Sequence, residues 1–257
     1  MKPLSVFKYS LISLLGLLAL QSSAASPVAL FTLIWPPYSF ENTQKSAGGI
    51  SIDIAKELLL RNGNKATSIS VVPWARALNV SKKQANSCIV PIARTPERET
   101  SYRWIGPIGQ STWAFFARTE DHLSFSDIQD ARPYRIGMVR NDLSTEYLKE
   151  KNQFTLDSAP SDELNIKKLK AKHIDLWSTG YLTGMTQLRE NKITDVEPIF
   201  VFLRVDLYIG CQIDMPQSEV ATLNESLKKM YVDGTIRDIY LRYGYEKEAL
   251  SMRDLPK

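Results

Sequence analysis

Apolar, strand-like runs alternate with segments of helical period along this chain, and that alternation constrains the fold more than any other feature of the sequence. Val28 to Leu33 reads as a strand that runs into a Pro-Pro loop. A helix from about Ile50 to Asn62 places Ile50, Ile54 and Leu58 on one face, and Gly63 stops it. Ala66 to Val72 is a short alternating strand, a helix begins near Trp74, and Ser87 to Ala93 is a buried strand. The order β-α-β-α-β implies an α/β unit with a mainly parallel sheet.

After Arg103 the pattern restarts. Strands are expected at Thr112 to Ala117, Arg135 to Val139, Phe154 to Leu156 and Ile174 to Trp177, with helices at Ser126 to Asp130, Ser144 to Lys151 and Leu164 to Ala171. A second α/β unit is therefore inserted into the first. The strand Leu207 to Ile213 and helices near Gln217 to Val232 and Thr235 to Tyr243 return to the first unit. Val220, Leu223, Leu227 and Met230 form one apolar face, and Ile236, Ile239, Tyr240 and Tyr243 another. Asp233-Gly234 separates these helices, with Thr235 as the expected N-cap.

Residues 1–25 have the three parts of a secretory signal: Lys2 and Lys8, a mainly apolar run Leu11 to Leu20, and small residues from Ser22 to Ala25. The run is about ten residues against the ~20 that a spanning helix needs, and no cysteine is present there to take a lipid. A periplasmic mature chain is expected. Removing Lys2 and Lys8 leaves 30 basic residues of the 32, against 28 acidic ones. That near balance gives no basis for nucleic-acid binding, and Lys82-Lys83 and the Lys167 to Lys172 region read as solvated faces.

No GxSxG, HExxH, Walker or GxGxxG signature is present. His122 and His173 each follow a charged residue and read as surface groups, so nothing points to a metal, a cofactor or catalysis. Cys88 and Cys211 each sit in an apolar strand, CIVPIA and LYIGCQI. They read either as one disulfide in an oxidising compartment or as two small buried hydrophobes.

Three segments, WPPYSF (35–40), GGISIDIAKELL (48–59) and CIVPIARTPERETSYRWIGPI (88–108), in this order and spacing resemble the extracellular solute-binding proteins of family 3. The resemblance runs from about Pro27 to Gly244. It implies the type II periplasmic binding fold: two α/β lobes with a ligand cleft between them, residues 26–111 and 200–257 forming lobe 1 and 112–199 lobe 2. It also implies two strands crossing between the lobes near Trp104 to Ser111 and Phe200 to Asp206, and a Cys88–Cys211 bond between adjacent strands. The expected partners are a small-molecule ligand and a membrane permease or sensor, with the mature chain a monomer.

On the residues themselves, Trp35 and Trp74 follow strands and so stand near the C-terminal strand edge, where α/β lobes bind ligands. They clamp a ligand or pack, and Tyr38 divides between the same roles. Arg98 in TPER matches the arginine that grips a ligand carboxylate in amino-acid-binding relatives, and its fork suits two oxygens. The alternative is an ion pair with Glu97 or Glu99. Arg94 and Thr95 lie beside it. In RIGMVRNDLSTEYL, Ser144 and Thr145 start a helix, where they bind an anion or cap, and Arg140 is a further basic contact or a solvated one.

Gly180, preceded by Thr179, stands where relatives that bind α-amino acids carry an acid for the ammonium, and Thr32 replaces a second one. The ligand expected is therefore a small polar or anionic solute, amino-acid-like or an organic acid, with Asp142 or Asp175 as substitutes for the missing acid. The alternative functions are a sensing subunit with the same cleft and a dehydratase acting on a cyclohexadienyl substrate. The latter needs a carboxylic acid in the cleft.

Overall fold

The computed structural model describes residues 27–63, 66–140 and 142–245, so the signal-peptide expectation for residues 1–25 lies outside the described residues. In chain order the elements are β1 (Val28–Thr32), β2 (Phe40–Glu41), β3 (Ala47–Gly48), α1 (Ile50–Arg61), β4 (Ala66–Val71), α2 (Trp74–Lys83), β5 (Ser87–Ala93) and β6 (Tyr102–Arg118). Then follow β7 (Arg135–Val139), α3 (Leu143–Lys151), β8 (Thr155–Ala159), α4 (Asp162–Lys170), β9 (Leu176–Gly180), α5 (Tyr181–Glu190), β10 (Val196–Gln212), α6 (Gln217–Val232) and α7 (Thr235–Arg242). Eight strands form one sheet in the order β4-β1-β5-β10-β6-β9-β7-β8.

The first lobe is built on β1, β4 and β5, which run parallel. Every residue of β1 and β5 is buried, as expected of parallel strands covered on both faces. Helix α1 buries Ile50, Ile54 and Leu58 completely, and α6 buries Val220, Leu223, Leu227 and Met230, in one core with β1 and β5. In the second lobe β7 runs parallel to both β8 and β9, and Trp177, Leu169 and Ile174 are fully buried against Phe116.

Strands β6 and β10 belong to both lobes. They pair antiparallel along almost their whole length, from Val196↔Arg118 to Gln212↔Tyr102. The crossings expected at Trp104 to Ser111 and Phe200 to Asp206 are therefore the central parts of two unbroken 17-residue strands. The expected strand at Thr112 to Ala117 is the far half of β6, kept hydrogen-bonded to the near half by its pairing with β10. Cys88 and Cys211 face each other across β5 and β10 and are joined by a disulfide.

Two local expectations change. The N-cap of α7 is Gly234, in the left-handed region at φ 85°, and Thr235 is the first helical residue. The backbone N–H and the hydroxyl of Thr235 both donate to Asp233, whose carboxylate takes the capping role. In addition, α5 is a full helix where the sequence pattern predicts none. Its Leu182 lies in the first lobe's core, and its Thr183 hydroxyl donates to the Pro36 carbonyl at 2.9 Å. The helix that follows the second lobe's last parallel strand thus packs on the first lobe as well.

Candidate functional site

Pairing registers place the site. Ala93, at the C-terminal end of β5, pairs with Leu207, which pairs with Gly109. Gly180, at the C-terminal end of β9, pairs with Trp113. The parallel strands of both lobes therefore point their C-terminal ends at the middle of β6, and the four steps from Gly109 to Trp113 leave about 13 Å of floor between them. C-terminal strand edges are where α/β sheets carry ligand sites.

On the first-lobe side, the loop from Trp35 to Tyr38 is fixed by α1. That helix has no side-chain cap, and its first N–H groups are satisfied by loop carbonyls: Ile50 N–H donates to Pro37 at 3.0 Å and Ser51 N–H to Tyr38 at 2.9 Å. Gly49 permits this approach. It sits at φ 119°, and a Cβ there would stand 2.5 Å from the Tyr38 carbonyl oxygen. Tyr38 is buried, its hydroxyl donating to the Gln110 carbonyl on the floor at 3.1 Å. Trp35 is half-buried, its ring 5.0 Å from that of Tyr38 and 6.0 Å from that of Trp113.

Trp74, the first residue of α2, lies beneath Arg98, whose guanidinium carbon is 5.1 Å from the ring centroid. Arg98 donates to the Ala93 carbonyl at 3.1 Å and takes part in no ion pair among the described residues. Partial burial lowers its pKa from the ordinary value, the sign of a desolvated cation. The ion pair of this turn is made by Arg94, which grips Glu99 through two nitrogens, at 2.7 Å through Nε, and lies against Trp104 and Tyr208. Thr95 closes the turn, its carbonyl accepting from the Arg98 N–H at 3.0 Å. Arg94 and Thr95 thus build the turn from which Arg98 projects.

On the second-lobe side, Asp142 caps α3: its Oδ1 accepts from Ser144 N at 2.8 Å and from Ser144 Oγ at 2.6 Å. The Ser144 hydroxyl also accepts from Ser178 at 3.1 Å, and Thr145 donates to the Val139 carbonyl at 2.6 Å. Both hydroxyls proposed from sequence are buried and engaged locally, and a carboxylate already occupies this helix start. Arg140 is exposed on the same turn.

Asp162, first residue of α4, accepts from the Trp177 indole at 2.7 Å and from Thr179. Burial pushes its carboxyl up to about 6; these donors oppose the shift and the nearby Asp142 charge adds to it. Burial also raises Asp142. Asp175 lies at the other end of the strands, accepting from Arg135 N at 2.8 Å where β7 begins.

A family model of bacterial extracellular solute-binding proteins, family 3, matches residues 31–246. The chain belongs to that family. No curated protein matches this solute-binding protein by sequence. Similar solved structures include the GluR0 ligand-binding core in complex with L-glutamate (14% identity, TM-score 0.71, covering 85% of this chain and 98% of that one). A histidine kinase sensor domain with similarity to periplasmic binding proteins aligns at 18% identity and TM-score 0.69, over 84% of this chain and 95% of that one. An ancestral arginine-binding protein bound to arginine aligns at 16% identity and TM-score 0.68, over 85% and 98%. These likenesses establish the two-lobe fold of this family 3 protein. Among its described residues no helix is long and apolar enough to cross a membrane.

Sequence reasoning overlooked Asp162 and Trp113. Asp162 follows the N-cap Ser161 and has the pattern of an ordinary first-turn acid. Its indole donor is Trp177, 15 residues away on β9. Trp113 reads as strand filler until the β6–β9 register brings it to the floor.

Proposed function

We propose that this family 3 protein acts in the periplasm, capturing a small polar solute that carries a carboxylate or other anionic group and handing it to a membrane permease of an ABC-type importer. Residues 26–111 and 200–257 form one lobe and 112–199 the other, and closure on the ligand draws contacts from both. Arg98 is the anion anchor, Trp74 and Trp35 supply apolar walls, and the second lobe completes the enclosure. The observation that carries this reading is the half-buried Arg98 guanidinium, stacked on Trp74 at a strand edge and held in no ion pair among the described residues. The protein acts as a monomeric receptor and not as an enzyme.

The test is a thermal-shift screen of refolded mature protein against amino acids, organic acids, amines and small oligosaccharides, repeated with Arg98→Ala. A ligand at one hundred times its Kd adds about 2.7 kcal/mol of stability. Loss of a desolvated charge-assisted contact should cost about 2–5 kcal/mol of binding. Affinity unchanged in Arg98→Ala removes the anchor role.

One observation favours a second reading. Asp162, with its pKa near 6, has the property a general acid needs. Prephenate incubated with the protein should yield no phenylpyruvate, and its formation would replace the receptor reading with a dehydratase.

A further inference from the structure

Helix α5 follows β9 and buries Leu188 in the second lobe's core, yet the opposite stripe of the helix holds the first lobe. Leu182 lies in the first lobe's core, and the Thr183 hydroxyl donates to the Pro36 carbonyl at 2.9 Å. One turn on, the Thr186 hydroxyl is hydrogen-bonded to that of Tyr245. At the far end the Arg189 guanidinium carbon stands 5.4 Å from the Tyr245 ring centroid, and Arg189 donates to the Tyr243 carbonyl at 3.4 Å. Leu182, Thr183, Thr186 and Arg189 fall on one side of the helix by its period, with Leu188 on the other.

The first-lobe partner of this stripe is the stretch 243–245 that leaves α7. Tyr243 anchors it at the start of α1: its hydroxyl accepts from the Gly49 N–H and donates to Asp53 Oδ2, both at 2.9 Å. Gly244, in the left-handed region at φ 79°, turns the chain off the helix, and a Cβ there would stand 3.0 Å from the Arg189 guanidinium. Tyr245 then lies buried against α5. The stretch is thus tied to the first lobe at one end and to the second at the other.

These contacts are made while the polar groups on the two sides of the cleft bond within their own lobes: Arg98 to Ala93, Asp142 to Ser144 and Asp162 to Trp177. Rotation of one lobe against the other about the β6–β10 pair displaces α5 relative to Pro36 and Tyr245, and hydrogen bonds weaken steeply as their distances and angles change. We propose that α5 and residues 243–245 form an interlobe strap, which holds the lobes in their ligand-free arrangement and which closure releases. The strap deepens the solute-receptor reading and rests on it, because the fraction of closed protein sets the apparent affinity. It also reaches the cleft wall. Pro36 stands between Trp35 and Pro37, whose carbonyl accepts from Ile50 N–H of α1, so release of Thr183 frees the loop that carries Trp35.

The test needs no ligand. Spin labels on Lys83→Cys and Glu150→Cys, exposed positions in the last turns of α2 and α3, report the distance between the lobes by pulsed dipolar electron spin resonance. The native cysteines are held in their disulfide. The labelled protein should give one narrow distance distribution. Thr183→Val, Tyr245→Phe and Arg189→Ala should each enlarge a second, displaced population several-fold, and together about tenfold or more. Thermal melts verify that each variant folds. A triple variant whose distribution matches that of the parent overturns the proposal, and a lowered Tm alongside it assigns these contacts to packing alone. A parent distribution that is already broad overturns it as well. None of these outcomes touches the receptor reading, which the Arg98 screen decides separately.

Discussion

Asp162→Asn should stabilise the unliganded protein at neutral pH, and the gain should vanish in acid. The carboxyl of Asp162 is held at about 6, against 3.8 when exposed, chiefly by burial. A difference of roughly two units, at about 1.4 kcal/mol each, puts the cost of ionising Asp162 in the folded state at about 3 kcal/mol. The sign follows from proton binding: between pH 4 and 6 the folded state holds more protons than the unfolded one, so stability falls as pH rises through that window. Below about pH 4 both states are protonated and the cost vanishes.

Asn keeps an oxygen for the Trp177 indole, which donates at 2.7 Å, but loses the second acceptor that serves Thr179. Subtracting about 1 kcal/mol for that bond leaves a net gain of about 2 kcal/mol. In a chain of this size that is about 4–8 °C in Tm at pH 7.5. Scanning calorimetry of both proteins from pH 4 to 8 reads it directly. A variant less stable than wild type at pH 7.5, or an offset that does not shrink towards pH 4, would refute the reasoning.

Other perturbations test the frame around the site. Gly49→Ala forces a Cβ to within 2.5 Å of the Tyr38 carbonyl at φ 119°, and urea denaturation should show a loss of about 2–5 kcal/mol. Replacing Cys88 and Cys211 together by Ser should cost about 2–5 kcal/mol in the same assay, and wild type with reductant should approach the double variant. Arg94→Ala removes an exposed pair worth under about 1 kcal/mol, so Tm should barely move, while ligand affinity falls several-fold because the turn presenting Arg98 loosens. Asn165→Leu removes a fully buried amide whose oxygen and nitrogen both lack partners among the described residues, and should raise stability by about 1–3 kcal/mol in denaturant titrations.

What was legible in the sequence is what local patterning encodes. The expected strand at Ser87 to Ala93 matches β5, and the helix from Ile50 ends within a residue of α1, because burial on a fixed period writes itself into consecutive residues. The length of β6 was not legible: its two halves read as separate elements, and only pairing with β10 across Gly109 to Trp113 makes them one. The helix α5 escaped notice because its buried residues, Leu182, Gly184, Thr186 and Leu188, include only two large apolar ones. At the site, Arg98 and Trp74 stand out through their sequence context, but their stacking is a tertiary fact. The pairing of Asp142 with Asp162 depends on the parallel register of β7 and β8, which no local signal carries.

The Cys88–Cys211 bond spans 123 positions, and β7, α3, β8, α4, β9 and α5 all lie between its ends. The second lobe is therefore part of a closed covalent ring anchored on the first. A protease that cuts once inside it, even through the candidate site, yields two fragments that remain one molecule until the sulfurs are reduced. Such a nicked chain would keep its two halves together at a concentration set by the ring itself and not by the surroundings. That tether lets a nicked chain re-form its sheet instead of losing a lobe to diffusion.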